Sequence, residues 1–493
     1  MEGRGIPPVR IGAALKKYLL VLIPVAVFAQ VVVDTVIRFP PPTFLFASYF
    51  VPELNKLYMH TANCQIKVME CSTYREVAEI PEPTISGFAH YAWNWRRQKL
   101  YFHDLHWPLA PSLSIDATAD TIVDSLPLRS GGLVYASECD LLFCSSLDTL
   151  LAYDCAADTI VRRILSPLEG YNLAAQGWDS VGRKLYVSMT DWSGPLLLAV
   201  YDYESGQFTK FIDVSSVTAS MSPLTFCYAH HKAYFGPGAP APFNGYAGVI
   251  DTERDSLLRV FHLVIGNGQY GPIAVDTRDD KVYLAGSTSD PGLPESLWVV
   301  DCATDSVLKK VEYANHGWGA CWVKWIPWSN RLYVDCDMDS CLVILDCNTD
   351  SVIVPRLHLG YWGGSDVLPD PIHQRTFVVG AESATVHVLR DVMSGVTEEP
   401  VTGLPPAPRA SLRESPAGIE LEYHVESPCR VQVSVYDLLG RDVKVLVAEN
   451  QAAGQHRVFW NRTDSYGARV ARGVYYMLVN AGATSVPVKA VVR

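Results

Sequence analysis

The chain has 493 residues, of which 49% are hydrophobic and 19% charged, and its formal net charge is −12 at neutral pH. This length and apolar content indicate more than one domain, or one large repeat domain with additions, and they rule out an intrinsically disordered chain. The acidic balance argues against a nucleic-acid partner.

The N-terminus has the pattern of a secretory signal peptide. Arg10, Lys16 and Lys17 are basic, an apolar run over residues 18–28 follows, and Ala29 supplies a small residue before a cleavage site. The run is short for a membrane span. We therefore expect residues 1–29 to be removed, and the mature chain to be secreted or displayed at the outer cell surface without a transmembrane span. An uncleaved N-terminal anchor is the alternative.

A short phrase recurs through the middle of the chain: a basic or polar residue, an apolar residue, then an aromatic residue. It occurs eight times, with successive aromatic residues 42 to 50 positions apart, at Tyr58, Tyr101, Phe143, Tyr186, Tyr234, Tyr283, Tyr333 and Phe377. Each copy is followed by an alternating apolar strand that ends at an acid, the acids being Glu70, Asp116, Asp154, Asp202, Asp251, Asp301, Asp346 and Asp391. A polar turn and another β-rich run complete each unit.

Units of four short strands that repeat every 40 to 50 residues are typical of β-propeller blades. The sequence therefore predicts an all-β fold with a propeller of about eight blades over residues 30–393, and a ring of seven blades is the alternative. The last copy stops after its third strand, while residues 34–38 match residues 158–162 of a fourth strand. We expect Val31–Phe39 to form the outermost strand of the last blade and to close the ring.

These phrases resemble the YVTN/YncE-like family of β-propeller repeats, in which a K-L-Y-V strand precedes an I-D-x-x-T-x-x-V strand pair. The resemblance covers roughly residues 30–393.

A Pro-rich linker over residues 394–410 separates the repeats from a C-terminal β-rich module at residues 411–493. Its V-x-V-Y-D-x-x-G-R, G-x-H-x-x-x-W, D-x-x-G and G-V-Y-Y segments resemble the Ig-like module of flagellar hook-capping proteins and the C-terminal sorting domain of type IX secretion cargo. That resemblance implies an Ig-like sandwich that engages secretion machinery and anchors the protein. An Ig-like stalk without a sorting role is the alternative.

The cysteines and acids do not predict a metal or cofactor site. Four of the twelve cysteines follow the repeat acid and are expected to be small core residues, namely Cys71, Cys155, Cys302 and Cys347. Cys336–Cys341 and Cys139–Cys144 are candidate hairpin disulfides. The His103/His106 pair lacks a defined shared face, and the Asp335, Asp337 and Asp339 run is expected to be a solvated turn. We expect no metal and no cofactor.

Aromatic, amide and imidazole groups cluster where the chain enters each innermost strand, and these segments should line the channel mouth. The candidate ligand-binding residues are His90, Tyr91, Gln176, Trp178, Gln269, Tyr270, Asn315, His316, Trp318, Tyr361 and Trp362. The alternative is that they plug the channel and pack blades together. The sequence favours a non-catalytic binding platform for a protein, glycan or small molecule over a propeller enzyme (a lactonase, lyase or quinoprotein-like protein) or a surface-layer component.

Overall fold

The computed structural model describes most of the chain. The described residues are 27–28, 31–39, 44–81, 89–104, 112–126, 132–191, 193–218, 220–237, 245–265, 273–286, 295–313, 322–336, 341–358, 364–380, 384–391, 411–415, 417–425, 428–437, 442–465, 467–481 and 484–492. Of the predicted signal peptide, only Val27 and Phe28 fall in this part of the chain.

Two N-terminal strands, β1 (Val27–Phe28) and β2 (Val31–Arg38), precede eight antiparallel sheets that we call blades A to H. Blade A consists of β3 (Leu45–Val51), β4 (Lys56–Thr61), β5 (Gln65–Glu70) and β6 (Arg75–Pro81). Blade B consists of β7 (Ala89–Asn94), β8 (Lys99–Asp104), β9 (Ser112–Asp116) and β10 (Thr121–Leu126). Blade C consists of β11 (Leu133–Ala136), β12 (Leu141–Ser146), β13 (Thr149–Asp154) and β14 (Thr159–Leu165).

The next three blades follow the same order. Blade D consists of β15 (Asn172–Asp179), β16 (Lys184–Thr190), β17 (Leu197–Asp202) and β18 (Gln207–Asp213). Blade E consists of β19 (Thr225–Cys227), a 3-10 turn (Tyr228–His230), β20 (Lys232–Phe235), β21 (Gly245–Asp251) and β22 (Ser256–Ile265). Blade F consists of β23 (Ile273–Asp276), β24 (Lys281–Ala285), β25 (Glu295–Asp301) and β26 (Val307–Tyr313).

The last two blades bring the ends of the ring together. Blade G consists of β27 (Trp322–Ile326), β28 (Arg331–Cys336), β29 (Cys341–Asp346) and β30 (Ser351–His358). Blade H consists of β31 (Gly364–Asp370), β32 (Arg375–Gly380), β33 (Thr385–Asp391), β2 and β1. Within the described residues the propeller therefore has eight blades, as the repeat count predicts.

The first strand of each blade is the innermost. First strands of neighbouring blades contact one another around the ring, including the closing contact of β3 with β31 and that of Gly177 on β15 with Phe226 on β19. Because the strands are antiparallel, all turns between first and second strands lie on one side of the ring, which we call the turn face. The segments that lead into the first strands lie on the opposite side, which we call the loop face.

The recurring basic and aromatic residues hold neighbouring blades together. In blade E, the Lys232 ammonium lies 2.7 Å from Asp305 Oδ2 of blade F, and the Tyr234 hydroxyl donates to Asp305 Oδ1 at 2.9 Å. Lys56 with Tyr58, Lys184 with Tyr186, and Lys281 with Tyr283 make the same pair of bonds to the next blade. The repeated phrase therefore encodes an interblade ion pair.

The aspartate of this ion pair has left-handed backbone geometry, with φ of 57° at Asp305, which Asp tolerates better than most residues. Blade C lacks the donors, having Leu141 and Phe143 in their places. Blade D, which would provide the acceptor, has Gly206 with φ of 70° at that turn position. Donor and acceptor are thus both absent at the same junction.

The N-terminal strand closes the ring, as predicted. Strand β2 pairs antiparallel with β33, and β1 adds a two-residue strand outside it, so β2 is not the outermost strand. The predicted equivalence of residues 34–38 with 158–162 is wrong in register. Arg390, rather than Asp391, lies opposite Arg375 at the position of the repeat acid, and Val32 pairs with it. Asp391 instead accepts bonds from Arg331 and Tyr333 of blade G.

Blade H is joined to blade A by Arg375. Its guanidinium donates to the Cys71 carbonyl oxygen at 2.7 Å and to the Asn55 side chain at 2.9 Å, while Asp370 accepts from its Nε at 2.8 Å. Tyr74 takes the place of the aspartate found in other blades, and its hydroxyl accepts from Arg375 at 3.1 Å.

The C-terminal module is a sandwich of two antiparallel sheets. One consists of β34 (Ser411–Ser415), β35 (Gly418–Val425) and β38 (Gly454–Trp460). The other has the order β37-β36-β39-β40, formed by β36 (Cys429–Asp437), β37 (Asp442–Gln451), β39 (Gly473–Ala481) and β40 (Thr484–Val492). Trp460, Tyr423 and Met477 fill the core between the sheets.

Candidate functional site in the channel wall

Three inner strands bring a buried acid and an amine together. Strand β31 of blade H carries Asp366, which is 8% exposed, and its Oδ2 accepts the Ser48 backbone N–H of blade A at 2.6 Å. Lys324, on β27 of blade G, is partly buried and within electrostatic reach of Asp366. Blades G, H and A thus meet at one polar group near the channel.

Burial controls the charge of this pair. It raises the pKa of Asp366 to about 8, although the Ser48 N–H and the Lys324 ammonium both act to lower that pKa. Burial also lowers the pKa of Lys324 from its usual range, and Asp366 opposes that change. At neutral pH Asp366 is therefore mainly a neutral carboxylic acid, which offers one hydrogen-bond donor and one acceptor.

A group of aromatic and imidazole rings packs between blades A and B. Tyr91 on β7 packs against Tyr49 at 5.5 Å and His60 at 5.4 Å between ring centroids. His60 also contacts Phe102 edge-on at 4.8 Å. The predicted site residue Tyr91 is therefore part of a cluster of aromatic and imidazole rings that joins the inner and second strands of two blades.

His90 lies on the other face of β7, directly opposite His103 on β8. Burial lowers the pKa of His90 to about 4, and burial together with His90 lowers the pKa of His103 to about 4. His103 Nδ1 is 3.1 Å from the Ser112 hydroxyl. Both rings are neutral at pH 7, and among the described residues no group of three His, Cys, Asp or Glu side chains could hold a metal ion.

Gln176 and Trp178 lie on inner strand β15 of blade D, away from this group. Gln176 donates to the Ser188 hydroxyl at 2.8 Å. Trp178 stacks on Phe143 of blade C, and its indole N–H donates to Glu138 at 2.8 Å. Trp93 of blade B makes the equivalent bond to Glu53 of blade A at 3.0 Å, so this position favours interblade packing over ligand contact.

The remaining predicted ligand-binding residues lie outside the described residues, namely Gln269, Tyr270, Asn315, His316, Trp318, Tyr361 and Trp362. Sequence reasoning missed Asp366, Lys324 and Ser48. A signal for Lys324 was present, because this charged residue interrupts an apolar inner strand, Trp322-Val323-Lys324-Trp325. The predicted solvated turn is wrong for Asp335, which lies within β28 and is fully buried between paired strands. Asp337 and Asp339 lie outside the described residues.

All eleven cysteines in the described part of the chain are free, so neither predicted hairpin disulfide is formed there. Cys336 and Cys341 do lie directly opposite each other, and their thiols hydrogen-bond. Cys139 instead contacts the Ala136 carbonyl oxygen. A thiol contact that the sequence did not predict joins Cys227 of blade E to Cys302 of blade F.

The inner strands of blades G, H, A and B thus carry hydrogen-bonding groups of low net charge, and those of blades A and B also carry aromatic rings. A neutral carboxylic acid, neutral imidazoles and aromatic faces suit a neutral polar ligand with apolar faces better than an ion. Asp366 and His90 both lie in the first half of their strands, nearer the loop face.

Comparisons with known proteins support the architecture. The FlgD Ig-like domain family matches residues 410–485. BamB from Moraxella catarrhalis has a TM-score of 0.50 and 12% identity over 73% of this chain and 99% of that chain. Dihydro-heme d1 dehydrogenase NirN in complex with DHE has a TM-score of 0.48 and 12% identity over 83% of this chain and 76% of that chain. Kuenenia stuttgartiensis hydrazine synthase has a TM-score of 0.46 and 12% identity over 70% of this chain and 95% of that chain.

The identity to BamB is low enough that the likeness shows the propeller fold and nothing of its function. No curated protein matches the sequence. No helix in the described ranges is long and apolar enough to cross a membrane. The chain is thus a β-propeller followed by an Ig-like domain of the FlgD type.

Proposed function

We propose that this protein is an exported, non-catalytic β-propeller that binds a neutral polar ligand, such as an oligosaccharide, at the loop-face end of its channel. The C-terminal module would serve in secretion by a type IX system or in attachment at the cell surface. The observation that carries the binding proposal is the buried Asp366–Lys324 pair, to which blades G, H and A all contribute. Neither residue takes part in the repeated interblade ion pairs.

The binding test is an array of neutral oligosaccharides probed with the mature chain. Asp366→Leu and Lys324→Met should each weaken binding at least about tenfold, because each removes a hydrogen-bonding group worth about 1.4 kcal/mol or more. Lys310→Met is the matched control, since Lys310 lies on the outer strand β26 in an exposed ion pair with Glu312. Equal binding by all three variants, or none by the wild type, would reject an oligosaccharide site here.

A secreted enzyme is the second candidate, because a carboxylic acid with a raised pKa beside an amine is also a frequent catalytic arrangement. The variant Asp366→Asn distinguishes a binding site from an enzyme active site. The amide preserves a donor and an acceptor, so a binding site keeps most of its affinity, whereas an acid catalyst loses its activity. Turnover of a lactone panel by the wild type that Asp366→Asn abolishes would favour the enzyme.

The secretion proposal rests on the four C-terminal motifs and the FlgD-type Ig-like match. We would fuse residues 411–493 to a reporter carrying a signal peptide, in a bacterium that has a type IX secretion system. Reporter outside the cells is the expected result. Retention of the fusion in the periplasm, with the full-length protein exported by the same strain, would reject a sorting role for the module.

A further inference from the structure

One face of the C-terminal module is buried although it does not belong to the core of that module. In β36 and β39 the core-facing residues are Val433, Val435, Tyr475 and Met477. Successive strand residues point to opposite faces, so Ser434, Tyr436, Tyr476 and Leu478 face outward. Their exposures are nevertheless 0%, 5%, 4% and 5%.

The other sheet of the module shows what an uncovered face looks like. Its outward residues are polar and at least partly exposed, including Glu420, Glu422 and His424 on β35 and Arg457 on β38. Outer faces of Ig-like sandwiches are ordinarily polar in this way. The contrast between the two sheets shows that something covers the outer face of β36 and β39.

The propeller supplies that cover. A side-chain carbon added to Gly473, the first residue of β39, would lie 2.5 to 2.9 Å from three ring carbons of Trp95, which is in the first turn of blade B. Gly473 does not have a left-handed φ, so the indole of Trp95, rather than the backbone, is what excludes a side chain there.

Tyr476, on β39 of the module, lies at the same contact with the propeller. Burial raises its pKa above the usual range, and the nearby carboxyl groups of Glu53 and Asp370 raise it further. Glu53 and Asp370 lie at the first turns of blades A and H, and blade B, which carries Trp95, follows blade A along the ring. Blades H, A and B therefore present one continuous patch of the turn face to the module.

We propose that the C-terminal module is docked on the turn face of the propeller through the outer face of β36 and β39. The loop face of the propeller and the polar β34–β35–β38 sheet then remain open to partners. Any partner that recognises the docked module would have to fit a polar surface of mixed charge, since Glu420, Glu422 and Arg457 lie there.

Small-angle X-ray scattering of the mature full-length chain tests this docking. The wild type should have the radius of gyration of one compact body, about 23 Å for a chain of this size. Trp95→Ala, Gly473→Leu and Tyr476→Asp should each raise it by several ångströms, because they remove or block the contact or place a charge beside Glu53 and Asp370.

Two controls keep the result specific. Tyr476→Phe should leave the radius unchanged, because no described group hydrogen-bonds the enclosed Tyr476 hydroxyl. The combination Trp95→Ala with Gly473→Leu should restore the compact radius, since the leucine fills the space of the lost indole. A wild type that scatters as two independent bodies, or a Trp95→Ala variant as compact as the wild type, would overturn the docking.

Discussion

The Lys232 ammonium of blade E lies 2.7 Å from the Asp305 carboxylate of blade F, and both side chains are less than a tenth exposed. The Lys232 ammonium also donates to the Cys302 and Ala303 carbonyl oxygens, so its donors are all used. Lys99 and Asp158 make the equivalent bond between blades B and C, but Asp158 is 47% exposed. The same interblade Lys–Asp pair is therefore buried between blades E and F and partly exposed to solvent between blades B and C.

Lys232→Met should lower the free energy of unfolding by about 3–5 kcal/mol, because it leaves the Asp305 carboxylate buried without its partner. Lys99→Met, the matched control, should cost less than about 1 kcal/mol, because water screens the exposed pair. Urea unfolding of both variants measures the difference. Equal losses would show that burial does not set the strength of these interblade ion pairs.

Asp366 should make stability fall as the pH rises. Its pKa is about 8 in the folded protein and near 3.8 in the unfolded chain. Between these values the folded state holds a proton that the unfolded state lacks, so unfolding becomes easier by about 1.4 kcal/mol for each pH unit. Asp366→Asn should therefore gain stability over the wild type progressively from pH 5 to pH 8.

Thermal melts of both proteins across that range check this prediction. Asp276 contributes a second slope of the same sign in both proteins, because burial raises its pKa to about 7. Asp301→Asn is the flat control, since backbone hydrogen bonds hold the pKa of Asp301 below its usual value and the group is therefore ionised in both states from pH 5 to pH 8. Wild-type and Asp366→Asn curves that stay parallel would contradict the raised pKa.

His90 and His103 of blade B should make the protein less stable at acidic pH. Each has a pKa of about 4 when folded against an ordinary value of 6.5, so between these values the unfolded state binds protons that the folded state does not. Stability then falls as the pH drops from 6.5 to 4. A His90→Gln/His103→Gln variant should lose less stability than the wild type between pH 6.5 and pH 4.5, and melts at both pH values measure this.

Trp178→Phe should reduce stability without changing ligand affinity. The phenyl ring keeps the stacking on Phe143, but Glu138 loses the indole donor, which should cost about 1–3 kcal/mol. Trp93→Phe should cost a similar amount, because Trp93 makes the same bond to Glu53. A loss of oligosaccharide binding by Trp178→Phe at unchanged stability would instead support the role in ligand contact that the sequence suggested.

Repeats made the propeller predictable from the sequence, because the blades share one strand pattern and most of them keep the same donors. The Lys-Leu-Tyr phrase indicated where second strands begin, and the N-terminal match indicated that β2 belongs to blade H. Its register was not predictable, because Asp34 and Thr35 resemble Asp158 and Thr159 while the backbone pairs Val32 with Arg390. The resemblance of Asp34 and Thr35 to the turn residues Asp158 and Thr159 therefore did not indicate the register.

The candidate site was less predictable because it depends on contacts between blades. Nothing local in the sequence places Ser48 beside Asp366, which is 318 positions away. Trp178 looked like a ligand contact because it follows Gln176 and Gly177, yet its indole continues an interblade bond that Trp93 also makes. The informative pattern was the charged Lys324 within an otherwise apolar inner strand, and aromatic content alone was not informative.

Closure of blade H by β2 has a consequence for biosynthesis. Asp34 and Arg390, which form an ion pair across that closure, are 356 positions apart, so the first propeller strand to be synthesised pairs only after nearly the whole ring has been made. Until β33 has been made, β2 has no strand to pair with, and the ring cannot close. Folding of the ring should thus be a late, post-synthetic event, which would keep an exported chain unfolded while it is threaded through a translocation channel.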